Sequence, residues 1–200
     1  MPATIAAARA GATTGEWAAT LRDAFGSYRA PTGVGEAAAP APGEEIAELR
    51  EDVAAVSEQL GRTLKILVGK PGLDGHSNGA EQIAVRARDA GMEVVYEGIR
   101  LTPSQIARSA VDEGVHVIGL SILSGSHREL IPDVIKALRE AGGGDIPLVV
   151  GGIIPDADAG PLRAAGVAAV YTPKDFELTR ILRDVVAIVA ARNGIASAAA

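Results

Sequence analysis

From Thr63 onward, five short apolar runs, "LKILVG", "EVVYEG", "VHVIGLSIL", "IPLVVGGII" and "VAAVYT", alternate with longer segments of helical period. This alternation constrains the fold more than any other feature. A strand that is apolar at nearly every position, rather than every second one, must be covered on both faces, and the helix after each strand supplies the cover. The pattern therefore predicts five βα units around a parallel sheet. Helices are predicted over about Ala80–Ala90, Pro103–Glu113, Arg128–Ala141, Asp156–Ala165 and Phe176–Arg192. Local signals agree: Thr102-Pro103-Ser104-Gln105 reads as a capping box with proline at the first helical position, and Gly91 and Gly114 stand where helices should stop.

The N-terminal segment follows other rules. Thr13 to Glu16 forms a second capping box, after which Trp17, Leu21 and Phe25 recur at helical spacing with Tyr28 just beyond. "VGEAAAPAPGEE" has the composition of a semi-rigid linker. The helix expected next, "EEIAELREDVAAVSEQLG", gathers Ile46, Leu49, Val53, Val56 and Leu60 on one stripe and is expected to dock on the βα domain, since two heptads fall short of a coiled coil. The aromatic helix is expected to need a surface in a further domain or another chain. The chain thus divides into N-terminal helices and linker over residues 1–61, a βα domain over 62–193 and a tail over 194–200.

Composition excludes several classes. A hydrophobic content of 48% is enough for a core, and the absence of cysteine rules out disulfides and thiolate metal sites. With a net charge of -6 and the two signs interleaved, no broad basic face exists for nucleic acid. Neither a leader peptide nor a bilayer-spanning run is visible, and a soluble, cytoplasmic protein is expected.

Five βα units most commonly adopt the order 2-1-3-4-5, the flavodoxin-like (Rossmann-like) arrangement, which binds ligands where strand order reverses, between the first and third strands. The loop after the first strand, "KPGLDGHSNG", carries His76 with Asp74 two residues earlier; the third strand ends at Ser121 and Leu123, and the fourth at Gly151-Gly152. The first loop does not fit the spacing of a dinucleotide fingerprint. A response-regulator receiver, by resemblance to that family, would need an acceptor aspartate where Ser121 stands. Asp74 can orient and activate the His76 imidazole through its second ring nitrogen, and Lys70 can hold Asp74 ionised. Residue chemistry alone leaves His76 open between a metal ligand and a polar loop residue. His116 is expected to be a satisfied sheet residue and His127 a capping or surface group, while Glu97 and Arg100 read as solvated loop charges. Ser121 has no base and acid partners for nucleophilic work.

Asp74-x-His76-x-x-Gly79, Ser121-x-Leu123 and Gly151-Gly152, in that order and each at a predicted strand end, resemble the signature of the cobalamin-binding domain typified by acyl-CoA mutases and methionine synthase. "GLSILSGSH", "VVGGIIP" and "VYTPKDFEL" are similar to the C-terminal cobalamin (B12)-binding domain of the ethylmalonyl-CoA mutase and methylmalonyl-CoA mutase family, and "ATTGEWAATLRDAFGSYRAPTGV" resembles the end of that family's substrate barrel and its linker. The resemblance implies adenosylcobalamin as cofactor, His76 as lower axial ligand of cobalt in place of the cofactor's own base, and a crevice for the displaced nucleotide. The implied cofactor-binding residues are Lys70, Asp74, Gly75, His76, Gly79, Ser121, Leu123, Gly151, Gly152 and Tyr171. It also implies an acyl-CoA-binding barrel domain or subunit as partner, possible oligomerisation, and no catalytic residue in this chain. A cobalamin carrier or sensor, or a corrinoid methyltransferase subunit, is the alternative. One departure stands out: methylmalonyl-CoA mutases tend to have a Gly-Pro-Gly-Thr turn after the fifth strand, where this chain has Thr172-Pro173-Lys174-Asp175.

Overall fold

A computed structural model of the chain describes residues 2–26, 44–175 and 177–195. By internal contacts the chain divides into two units, Met1–Ala41 and Pro42–Ala200. In the first, α1 (Pro2–Arg9) was not anticipated, because an alanine-rich run has no apolar periodicity to announce it, and α2 (Thr14–Phe25) starts at the expected capping box. There Glu16 N–H donates to the Thr13 hydroxyl, and the Glu16 carboxylate accepts from Thr13 N–H at 2.9 Å. Trp17, Leu21 and Phe25 are exposed on α2. Tyr28, most of the predicted linker, Phe176 and residues 196–200 lie outside the described residues.

The second unit contains α3 (Glu44–Leu60), β1 (Lys65–Gly69), α4 (Asn78–Asp89), β2 (Glu93–Tyr96), α5 (Pro103–Asp112), β3 (Val117–Ile122), α6 (His127–Glu140), β4 (Leu148–Gly152), α7 (Asp156–Ala164), β5 (Ala169–Tyr171) and α8 (Leu178–Arg192). All strand pairs are parallel, in the order β2-β1-β3-β4-β5. The expected topology holds, with helix ends shifted by one or two residues where a loop residue takes part in a cap.

Side chains alternate across each strand, so the continuous apolar runs feed two cores. Leu67, Ile118, Leu120 and Val150 pack with α5, α6 and α7 through Ile106, Ile131 and Leu162. Ile66, Val68, Val117 and Val149 face α3, α4 and α8, whose Leu49, Ala87, Leu182 and Val189 close the other side. The stripe of α3 is thus part of the βα unit, with Ile46, Leu49, Val53 and Val56 all buried. Arg183 of α8 tightens the junction with ion pairs to Glu48 at 2.9 Å and Asp52 at 3.7 Å.

In register, Ser121 lies beside Gly151, and Gly151 beside Tyr171, so the residues expected at the strand ends form a row along one edge of the sheet. Leu49 is fully buried, and Leu49→Ala should lower unfolding free energy by about 2–5 kcal/mol through lost burial and the resulting void. Urea denaturation checks this, and a change under 1 kcal/mol would mean that α3 is not part of the folded unit.

Candidate cofactor site

The loop after β1 is anchored before it reaches the histidine. Leu101 N–H donates to the Lys70 carbonyl at 3.0 Å and Gly72 N–H to the Leu101 carbonyl at 2.9 Å, which extends the pairing beyond the sheet. Gly72 sits at φ 79°, and a Cβ there would stand 2.8 Å from Leu130 Cδ1, so both backbone and space call for glycine. Beyond this anchor Asp74 turns inward. Its Oδ1 accepts from His76 N–H at 3.0 Å, and its Oδ2 from Leu123 N–H at 2.8 Å and Lys70 Nζ at 3.4 Å. Lys70 is fully buried, and its ammonium also donates to the Ser121 carbonyl at 3.0 Å and lies 3.4 Å from the Ser121 hydroxyl.

Burial by itself would push the Asp74 carboxyl up. The backbone donors of His76 and Leu123, the His76 ring and the Lys70 charge outweigh it and hold Asp74 well below the usual carboxylate range. Asp74 is therefore an anion, and an anion at 2.7 Å from His76 Nδ1 requires the proton on that nitrogen. His76 Nε2 has no hydrogen-bond partner among the described residues, on a side chain that is 75% exposed. Among the described residues no cluster of three or more metal-ligating side chains occurs. One activated imidazole suits a metal whose other positions are already filled by a macrocycle, rather than a free ion.

Beside this loop a cavity of about 310 Å³ opens between the sheet edge and helices α4 and α8. Its walls are apolar, from Ile83, Leu182 and Val185 among others, with the Ser121 and Tyr171 side chains as polar landmarks. Gly79, Gly151 and Gly152 leave it open. Gly152, at φ 142°, admits nothing larger, because a Cβ would fall 2.0 Å from the Ile122 carbonyl oxygen. The Tyr171 hydroxyl is buried without a hydrogen-bond partner, and burial, with Asp184 and Asp175 nearby, pushes its ionisation above the usual tyrosine value. An apolar slot with a few polar groups at its edge fits a flat heterocycle carrying a polar tail.

The ten residues singled out in the sequence divide by placement. Lys70, Asp74, His76, Ser121 and Leu123 join in one hydrogen-bonded group; Gly79, Ser121, Leu123, Gly151, Gly152 and Tyr171 line the cavity. Gly75 lies instead on the exposed loop beside Arg100. The α8 wall, Leu178, Ile181, Leu182 and Val185, escaped sequence reasoning, since its stripe reads as ordinary core. In the divergent turn, Thr172 N–H donates to the Asp175 carboxylate at 2.8 Å and Lys174 pairs with Asp156, so side chains hold a turn that glycines could form by backbone alone.

Two histidines depart from expectation. His127 is neither cap nor surface group: it is buried, its Nε2 lies 2.7 Å from Asp158, and Arg128 holds the other Asp158 oxygen at 2.6 Å. This triad ties the first turn of α6 to that of α7, which no spacing rule announces. His116 precedes β3 rather than lying within it; its Nδ1 accepts from Lys65 N–H at 2.9 Å, while its Nε2 is buried without a partner.

Residues 64–181 match the family model of the B12 binding domain. Over 189 residues, 94% of the chain, the sequence is 65% identical to the ethylmalonyl-CoA mutase of Cereibacter sphaeroides, of whose length it spans only 29%. It is 40% identical over 130 residues to the 2-hydroxyisobutanoyl-CoA mutase small subunit of Aquincola tertiaricarbonis, covering 65% of this chain and 95% of that subunit. A cobalamin-binding protein from Desulfitobacterium hafniense shares the fold at a TM-score of 0.53 and 16% identity, over 83% of this chain and 75% of that one.

Two consequences of the geometry are measurable. Asp74→Asn leaves the buried Lys70 ammonium without its counter-ion and should cost about 3 kcal/mol of stability at neutral pH. Because the folded-state carboxyl lies below its unfolded value, the stabilisation by Asp74 is complete above that value and fades as pH falls through about 4 and below. The gap between wild type and Asp74→Asn in urea unfolding should therefore narrow on acidification, and a gap that widens refutes the assignment. Gly152→Ala should destabilise by more than 2 kcal/mol, as expected of strain at a forbidden backbone conformation.

Proposed function

The chain belongs to the B12-binding domain family, and from that premise we propose that it holds adenosylcobalamin with the nucleotide base displaced and His76 Nε2 in its place on cobalt. The observation that carries this proposal is the relay from Lys70 through Asp74 to His76 Nδ1. The His76 and Leu123 backbone donors, together with Lys70, keep Asp74 ionised, and Asp74 fixes the ring's tautomer. The pinned loop holds the imidazole facing solvent at the sheet edge, where a large ring has room. Apolar walls in the neighbouring cavity exclude water from the displaced base, with the Ser121 hydroxyl as a hydrogen-bonding partner, and Gly79, Gly151 and Gly152 keep the entrance clear. Bound cobalamin supplies a cobalt–carbon bond that can part homolytically, the chemistry on which carbon-skeleton rearrangements depend.

The similarity to acyl-CoA mutases supports a wider assignment. The chain is the cofactor-binding part of an adenosylcobalamin-dependent isomerase acting on ethylmalonyl-CoA or methylmalonyl-CoA, and the barrel that binds the acyl-CoA is a further domain or a separate subunit. Residues 62–193 carry the cofactor with α3 packed against them, and the part of residues 1–61 before α3 provides the connection to the barrel. Among the described residues no helix is long and apolar enough to cross a membrane; a cytoplasmic location is part of the proposal.

Mixing the purified chain with adenosylcobalamin should give the base-off spectrum with histidine ligation. His76→Ala should abolish the ligation signature without altering thermal unfolding appreciably, and Asp74→Asn should weaken binding about 10–100-fold. An identical spectrum for wild type and His76→Ala overturns the axial assignment. Addition of a separately expressed ethylmalonyl-CoA mutase barrel should restore isomerisation of the CoA ester; binding with no turnover in that mixture marks a carrier instead.

A further inference from the structure

Arg100 is the one non-glycine residue with positive φ among the described residues, at 64°. Left-handed backbone is unfavourable for a residue with a Cβ, and an observed outlier of this kind points to a local demand. Part of that demand is topological. The turn after β2 must bring Leu101 back to bond with Lys70 and Gly72 on the histidine loop, and it already uses Gly98 at φ 88°. Glycine at position 100 would meet that need without strain. What arginine adds is its side chain.

That side chain is placed against the loop. Its Nη2 lies 3.8 Å from where a Cβ on Gly75 would stand, one residue before His76. Arg100 is exposed, and its guanidinium forms no ion pair or hydrogen bond among the described residues, which leaves its donors open to a ligand. A planar, permanently charged fork of donors thus stands beside Gly75, one residue before the imidazole.

We propose that Arg100 is a cofactor-binding residue whose guanidinium donates to the carboxamide oxygens on the rim of the corrin ring. This rests on the cobalamin assignment above. A macrocycle ligated through His76 extends past the residues flanking that imidazole, and its rim carries neutral primary amides, whose carbonyl oxygens are the acceptors a guanidinium fork matches. Arg100 then sets the rotational position of the ring about the His76–cobalt axis, while the nucleotide pocket holds the tail.

Arg100→Gly and Arg100→Asn both suit a left-handed backbone and remove the guanidinium, so agreement between them isolates the side chain. Each should lose about tenfold in affinity, the scale of one charge-assisted hydrogen bond. The loss should be equal for adenosylcobalamin and for aquocobinamide, which keeps the rim amides but has no nucleotide. At saturation the His76-ligated spectrum should be unchanged, and Arg100→Gly should raise the thermal midpoint by about 2–4 °C through relief of strain. Affinities within twofold of wild type for both corrinoids overturn the inference, as does a loss confined to adenosylcobalamin, which would place the contact on the tail. If wild type binds neither corrinoid, the cobalamin assignment itself falls. If wild type binds with a His76-dependent spectrum and the Arg100 variants match it, only this inference fails.

Discussion

The arrangement depends on one buried carboxylate. Asp74 is surrounded by two backbone N–H groups, an imidazole N–H and an ammonium, from the loop after β1 and the end of β3. In a low-dielectric setting such donors are strong, and each would be costly to leave without its acceptor. The same carboxylate therefore closes the crevice between β1 and β3, neutralises Lys70 and determines which nitrogen of His76 faces outward. Structural and chemical roles cannot be separated here, since the bonds that stabilise the loop also polarise the imidazole.

The two-sided sheet explains why the crevice is available. With α5, α6 and α7 on one face and α3, α4 and α8 on the other, the strands are buried on both faces along most of their length. At the carboxyl edge the helices flanking β1 and β3 start on opposite faces, and the loops part. The cavity forms on the α4 and α8 side, where glycines replace the side chains that would otherwise fill it. At this edge Gly72 and Gly152 accept conformations that other residues resist, and Arg100 adopts one despite its Cβ.

Much of this was legible in the sequence because it follows from periodic or covalently local signals. Five apolar runs with intervening helices lead to the parallel order, and capping boxes at Thr13 and Thr102 mark helix starts because cap and acceptor are three residues apart. The spacing of Asp74 and His76 pointed to their contact for the same reason. The Asp158 triad with His127 and Arg128 was illegible, since Asp158 sits 31 and 30 residues from its two partners and no distinguishing pattern links them. Arg100 read as a solvated charge, and it is exposed without an ion pair among the described residues; that it stands beside Gly75 depends on the return of Leu101 to the first loop.

The sequence by itself determined the strand count, the parallel topology, the sheet edge that carries the candidate site and the residue types gathered there, because each is encoded by period, by adjacency or by a short motif. Tertiary structure decided which groups meet. That Asp74 also takes the Leu123 N–H and the Lys70 ammonium, that α8 walls the cavity and that Arg100 flanks the histidine loop all depend on contacts between segments far apart in the chain. Such contacts are fixed by how helices pack on a twisted sheet, a property that no local stretch of residues contains.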